Sequence, residues 1–320
     1  MKRIALFISL LLLSLALISC ELLLEKPARP RIHALFIALD YHDSPGNRLY
    51  GTIRDAKELD EALDALARRF DQEYLPVRMF QEGSDPGASS AEYPTKAHIL
   101  AKIAEIGTQV RENDVLFVYY AGHGMETSGN LAVAHPTNDA SYVEFPRTEF
   151  LEALDTVVQG NVMVVLDSCY SGLYVGEYPS EGLFDPGTTT SYNPRRLTVS
   201  AARGDETSQE IAILLDYPYV GYDPSKPFND PRNHIHGAFT SAFLEALGWD
   251  HGDGTGEQID ANDVITEVDG QLLPDADIPS LKQGSITVSD VYRLVRADIS
   301  RHTPMTVQGP LDMVLFSDRW

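Results

Sequence analysis

With 320 residues, 43% of them hydrophobic, and a formal net charge of −22, the chain can bury a sizeable core and is not a disordered tail. Acidity on that scale repels nucleic acid and anionic headgroups, which excludes nucleic acid as a partner and favours cationic substrates. Only two cysteines, Cys20 and Cys169, are present, too few for a disulfide framework.

In chain order, Lys2 and Arg3 precede an uncharged apolar run from Ile4 to Ile18, too short for a comfortable membrane span and suited to the hydrophobic region of a signal peptide. Its end, Leu17-Ile18-Ser19-Cys20, resembles the lipobox of bacterial lipoproteins. The resemblance implies cleavage before Cys20, a diacylglycerol on its sulfur, and a lipid-anchored protein of the bacterial cell envelope whose domain lies outside the cytoplasm. Residues 1–19 are then a lipoprotein signal peptide, and 20–31, with Pro27 and Pro30, a tether. With Cys20 lipidated, Cys169 is the single remaining thiol and no intramolecular disulfide can form.

The fold is expected to begin with the apolar strand His33 to Leu39, followed by a turn over 46–51 and a helix carrying Ala56, Leu59, Leu63, Leu66 and Phe70 at intervals of three and four. Pro76 to Phe80 reads as a short strand, Gln81 to Pro94 as loop, and Thr95 as the cap of a helix with Ile99, Ile103, Ile106 and Val110 on one face. A strand from Val115 leads to His123. The apolar stretch Leu131 to Ala134 and a helix with Phe150, Leu151, Leu154 and Val158 precede the next strand, Met163 to Leu166. Leu173 to Pro194 has no periodicity and reads as a long surface loop. Leu197 to Ala201 resumes as strand, Arg203 to His236 is irregular, and Ala238 to Leu247 is a helix. Asp250 to Gly256 lacks the ligand pattern of an EF-hand and is read as a turn. The segments from Ile259 (IDANDVITEV) and Ile286 (ITVSDVYRLV) both look like capped helix starts, Pro304 ends the second helix, and Leu311 to Phe316 is a last strand. Strands alternating with helices predict an α/β fold, a mostly parallel central sheet of about six strands with helices on both faces.

Chemistry concentrates in two runs of one design. VLFVYYAGHG ends in His123 and Gly124; MVVLDSCYSG carries Cys169 just past its strand. Parallel α/β sheets place their sites at the carboxyl ends of strands, and a histidine delivered there can help convert a thiol to a thiolate. The pair suggests a cysteine hydrolase.

These runs, with LYGTIRDAKEL in the first helix and GAFTSAFLEAL in a later one, resemble the caspase and metacaspase family of cysteine peptidases. The resemblance runs from about His33 to Leu247, and implies a caspase-like sandwich occupying 32–320, with a core of 32–249 and a C-terminal extension of 250–320. It makes Cys169 the nucleophile, His123 the general acid/base, and the backbone N–H groups of Gly124 and Cys169 an oxyanion hole. Asp167, two residues before the thiol, and Asp55, in the first helix, match the metacaspase aspartates that line a pocket for arginine or lysine, which implies protein or peptide substrates cut after basic residues. A legumain-like peptidase with another P1 preference and a catalytically silent caspase-fold binding module remain alternatives. The dyad chemistry needs no cofactor. Calcium activation occurs among relatives, and Asp185, Asp216 and Asp223 are available carboxylates, but no spacing selects a metal site. His234 and His236 form a pair without a third ligand at recognisable spacing, and are read as surface or substrate-wall residues.

Overall fold

Every residue of the first strand, β1 (Ile32–Leu39), is buried, as expected for a strand covered on both faces, and that is why its sequence is a continuous apolar run. The computed structural model describes residues 29–44, 46–83, 90–138, 140–175, 193–212, 234–252, 256, 258–260, 264–282, 284–299, 304–306 and 312–319. After β1 come α1 (Thr52–Arg69), β2 (Tyr74–Gln81), α2 (Lys96–Gly107), β3 (Val115–Ala121), β4 (Leu131–Ala134), β5 (Tyr142–Phe145), α3 (Arg147–Asp155) and β6 (Asn161–Asp167). A single 3₁₀ turn, Ser171–Tyr174, follows, and then β7 (Arg196–Ser200), β8 (Glu210–Ala212), β9 (Ile235–Gly237), α4 (Ala238–Leu247) and α5 (Val288–Asp298).

The central sheet has six strands in the order Met305–Thr306, β7, β6, β3, β1, β2. The last five are mutually parallel, and Met305–Thr306 runs antiparallel to β7. Alternate residues serve opposite faces. Ala34, Phe36 and Ala38 of β1 pack with Phe117, Tyr119, α1, α4 and α5, whereas Leu35, Ile37 and Leu39 pack with Leu116, Val118, α2, α3 and the β4–β5 hairpin. Pro76 is tolerated because β2 is the sheet edge, where a missing N–H leaves no ladder partner unpaired. Thr95 caps α2, accepting a hydrogen bond from the His98 N–H at 3.3 Å.

The structure departs from sequence expectation at several places. Val158 lies beyond the end of α3 at 68% exposure, because the helix stops at Asp155 and Val157 turns inward instead. The segment beginning at Ile259 is no helix start: Gln258–Ile259 pairs antiparallel with Ile265–Glu267. Its neighbour from Ile286 is the helix expected, with Thr287 capping α5 by accepting from the Asp290 N–H at 3.2 Å. The sixth strand of the sheet follows Pro304. The strand near the C-terminus, Val314–Ser317, pairs instead with Ser285–Thr287 in a separate two-stranded piece. β5 and the antiparallel pair β8–β9 had no sequence signal, since each is three or four residues long. Trp249, Ile278, Ile286, Val291, Leu315 and Phe316 share the cluster on the α1/α4 face, so the segments after α4 pack into the same core as the sheet.

Candidate active site

The register of the sheet fixes the site. Ala121 of β3 is paired with Asp167 of β6, so both chains leave the sheet at the same rung, and His123 and Cys169 each sit two residues beyond it. Both line one small cleft, with a cavity volume of about 40 Å³, at the carboxyl edge of the strands, together with Asp55, Asp167, Ser208 and Glu210. Gly124 must be glycine, since a Cβ there would collide with the Cys169 carbonyl oxygen. The short bridge between Gly124 and Leu131 is closed by Ala132 N–H donating to the His123 carbonyl at 3.0 Å and Met125 N–H donating to the Asn130 carbonyl at 3.0 Å. That alternation leaves the Gly124 N–H outside the bridge.

His123 is held from three sides. Its N–H donates to the Tyr41 hydroxyl at 2.9 Å, its carbonyl accepts from the Tyr120 hydroxyl at 2.9 Å, and its ring lies over Tyr41 with centroids 4.6 Å apart. Nε2 hydrogen-bonds the Asn47 carbonyl oxygen. A carbonyl only accepts, so Nε2 carries the proton and Nδ1 is the basic nitrogen. The Cys169 thiol is 3.7 Å from the Ser208 carbonyl oxygen, within reach to donate to it.

Burial lowers the His123 pKa, opposed by the Asn47 hydrogen bond. Burial also raises that of Cys169, with the Asp167 charge adding to the rise. The resting pair at neutral pH is therefore thiol and neutral imidazole, not an ion pair.

The two aspartates meet at the start of α4. Asp167 accepts from the Ser208 hydroxyl at 2.7 Å, the Thr240 hydroxyl at 2.7 Å and the Thr240 N–H at 3.2 Å. Asp55 accepts from the Gly237 N–H at 2.8 Å and lies 2.7 Å from His236 Nδ1. Gly237 separates them, and a side chain there would run into the Asp167 carboxylate. Burial first, and then the neighbouring Asp167, push the Asp55 carboxyl well above the ordinary carboxylate range.

Glu210 is a third carboxylate that sequence reasoning missed. It accepts from the Tyr50 and Gly51 N–H groups at 2.7 and 2.6 Å, capping α1 from a distant strand, and burial lifts its pKa to about 7. It sits in the stretch that lacked periodicity, and no local signal could have picked it out. His234 and His236, read as surface or substrate wall, are both buried, at 1% and 0% exposure.

Residues 32–177 match the family described as metacaspase, peptidase C14 domain. The match covers a little under half of the chain. The central sheet, five parallel strands and an antiparallel edge between helical layers, is the mostly parallel α/β architecture expected, and the family matched over 32–177 is one of peptidases. A solved Geobacter sulfurreducens protein is 13% identical over 88% of this chain and 94% of its own, at a TM-score of 0.48. Caspase-1 from Spodoptera frugiperda is 11% identical over 91% of each chain, also at 0.48. No curated protein gives a significant match.

Among the described residues, the group of three able to hold an ion is Glu58, His236 and His251, and two imidazoles are wrong for a cation that takes oxygen ligands. Asp185, Asp216 and Asp223 lie outside the described residues, as do Cys20 and the segment before it.

The protonation states carry a direct consequence. Alkylation of Cys169 by iodoacetamide in the substrate-free protein is expected to be slow at pH 7 and to keep accelerating above pH 9, since the thiolate fraction grows only as pH passes a pKa raised beyond the ordinary thiol value. A plateau below pH 8 would contradict the neutral pair.

Proposed function

We propose that the metacaspase domain is an endopeptidase that cleaves after arginine or lysine through a His123–Cys169 dyad. The observation that carries this is the single cleft in which both dyad residues stand beside three carboxylates, Asp55, Asp167 and Glu210. A guanidinium or ammonium entering it meets acceptors that still have unused lone pairs, in surroundings dry enough to strengthen the attraction.

In this mechanism the Cys169 Sγ attacks the scissile carbonyl carbon while the thiol proton passes to His123 Nδ1. The oxyanion takes hydrogen bonds from the Gly124 and Cys169 N–H groups. The tetrahedral intermediate collapses as the carbon–nitrogen bond breaks, and His123 returns the proton to the leaving amine. Water, deprotonated by His123, then hydrolyses the acyl thioester and regenerates the thiol. Asp167 links specificity to reactivity: its charge helps keep the empty enzyme's thiol protonated, and a bound P1 cation offsets that charge. The correct substrate therefore favours formation of its own nucleophile.

The lipobox at Cys20 supports a lipid-anchored protein of the cell envelope, its domain outside the cytoplasm. Cys20→Ala is expected to move the full chain from the detergent phase to the aqueous phase in a phase-partition experiment, and an unchanged partition would remove the anchor.

Specificity is tested with peptide reporters differing only at P1, assayed with and without calcium. Arg and Lys reporters should turn over and Asp reporters should not, Cys169→Ala should be inactive, and Asp167→Asn should lose at least about 30-fold in kcat/KM on Arg, roughly the 2 kcal/mol of a truncated charge pair. Preference for Asn would indicate a legumain-like enzyme, and no turnover of any reporter a silent binding module.

The same specificity limits self-processing. Tyr170 to Pro194 contains no Lys or Arg. The nearest basic residues are tied into the sheet: the Arg195 carbonyl accepts from the Val162 N–H at 2.8 Å, and Arg196 begins β7 with its guanidinium paired to Asp155. Active protein should show no cut between Tyr170 and Pro194 by intact mass, and a cut there would refute either the basic specificity or self-cleavage as its source.

A further inference from the structure

Behind the cleft, the first two turns of α1 bury charged side chains that an amphipathic helix ordinarily exposes, among them Glu58 at 0% exposure. Glu58 Oε1 lies 3.4 Å from His236 Nε2, and neither atom has a hydrogen-bond partner although no solvent reaches them. The other oxygen, Glu58 Oε2, is 2.6 Å from His251 Nδ1 and accepts from the Trp249 indole N–H at 2.9 Å. The two imidazole rings have centroids 4.6 Å apart, and one donor atom from each of the three residues falls within 4.8 Å of the others. Two buried polar atoms facing each other without a hydrogen bond are unfavourable in a dry interior, and a cation bridging them would satisfy both.

We propose that Glu58, His236 and His251 bind a first-row transition-metal dication, with Zn²⁺ the best match to two imidazoles and a carboxylate. The 3.4 Å separation of Glu58 Oε1 and His236 Nε2 equals the edge of a tetrahedron with bonds of about 2.0–2.1 Å. Each imidazole also has the outer partner that ligating histidines use on their second nitrogen. His236 Nδ1 faces the Asp55 carboxylate at 2.7 Å, and His251 Nε2 faces the Ser241 hydroxyl at 3.4 Å. When the dication takes His251 Nδ1, a metal–nitrogen bond replaces the N–H bond shared with Glu58, and the ring's one proton moves to Nε2, facing the Ser241 hydroxyl, so the ligand stays a neutral imidazole. Arg54, whose guanidinium donates to the Ile235 carbonyl at 3.1 Å, adds positive charge nearby, which the Asp55 and Glu58 carboxylates counter. None of this depends on peptidase activity.

The test uses the full-length Cys169→Ala protein, so that the thiol and His123 cannot compete for metal. After chelator treatment it is titrated with Zn²⁺ against a chromophoric chelator, and the zinc-loaded form is examined by X-ray absorption. One equivalent is expected, with two imidazoles among nitrogen and oxygen ligands. Glu58→Gln and His251→Gln should each weaken binding more than about 100-fold, beyond what loss of an outer partner produces, and Ser241→Ala about 10-fold. Circular dichroism checks that each variant folds. Where one does not, the parent protein decides alone: no bound zinc, or zinc without imidazole ligands, overturns the proposal. Unchanged affinity in the folded Glu58 and His251 variants does the same.

Discussion

The pairing of Ala121 with Asp167 is the constraint on which the site rests. In a parallel sheet the register sets where every strand stops relative to its neighbour, and β3 and β6 stop together. A slip of one residue would turn Asp167 away from Thr240 and move Cys169 out of step with His123. The slip is resisted because alternate residues of both strands fill two different cores: Phe117 and Tyr119 on one face, Leu116 and Val118 on the other. Hydrophobic packing on both sides of the sheet thus holds a polar geometry at its rim.

At that rim the carboxylates do two kinds of work. Asp167 meets the N-terminal donors of α4, and Glu210 meets those of α1, so each offsets a helix end whose N–H groups would otherwise lack partners. Asp55 ties β9 to α1 through Gly237 and His236. Burial, and after it the nearby Asp167 charge, displaces Asp55 and Glu210 upward. On the proposed function, a cation entering a site assembled this way neutralises the group. The neutral thiol–imidazole pair belongs to the same electrostatics: burial, with negative charge adding to it, suppresses the thiolate.

His236 stands between two regions. One nitrogen addresses Asp55 in the cleft wall, the other Glu58 in the interior of α1. A change at Glu58 and His251 is therefore separated from Asp55 in the cleft wall by one imidazole.

Much of this was legible in the chain itself. The apolar runs leading to His123 and Cys169, the intervals of three and four after Ile53, and the caps at Thr95 and Thr287 are local properties, and local chemistry decides them. The short strands β5, β8 and β9 carry too few residues to show a period, and the segment from Ile259 shares its composition with a true helix start yet pairs as a strand. Glu210 beside Asp167, and Glu58 beside His236 and His251, are neighbours only after strands and helices distant in sequence have packed. The sequence by itself determined which strands end in chemistry. Which carboxylates and imidazoles surround those ends was decided by tertiary packing, because no spacing along the chain encodes contacts made across it.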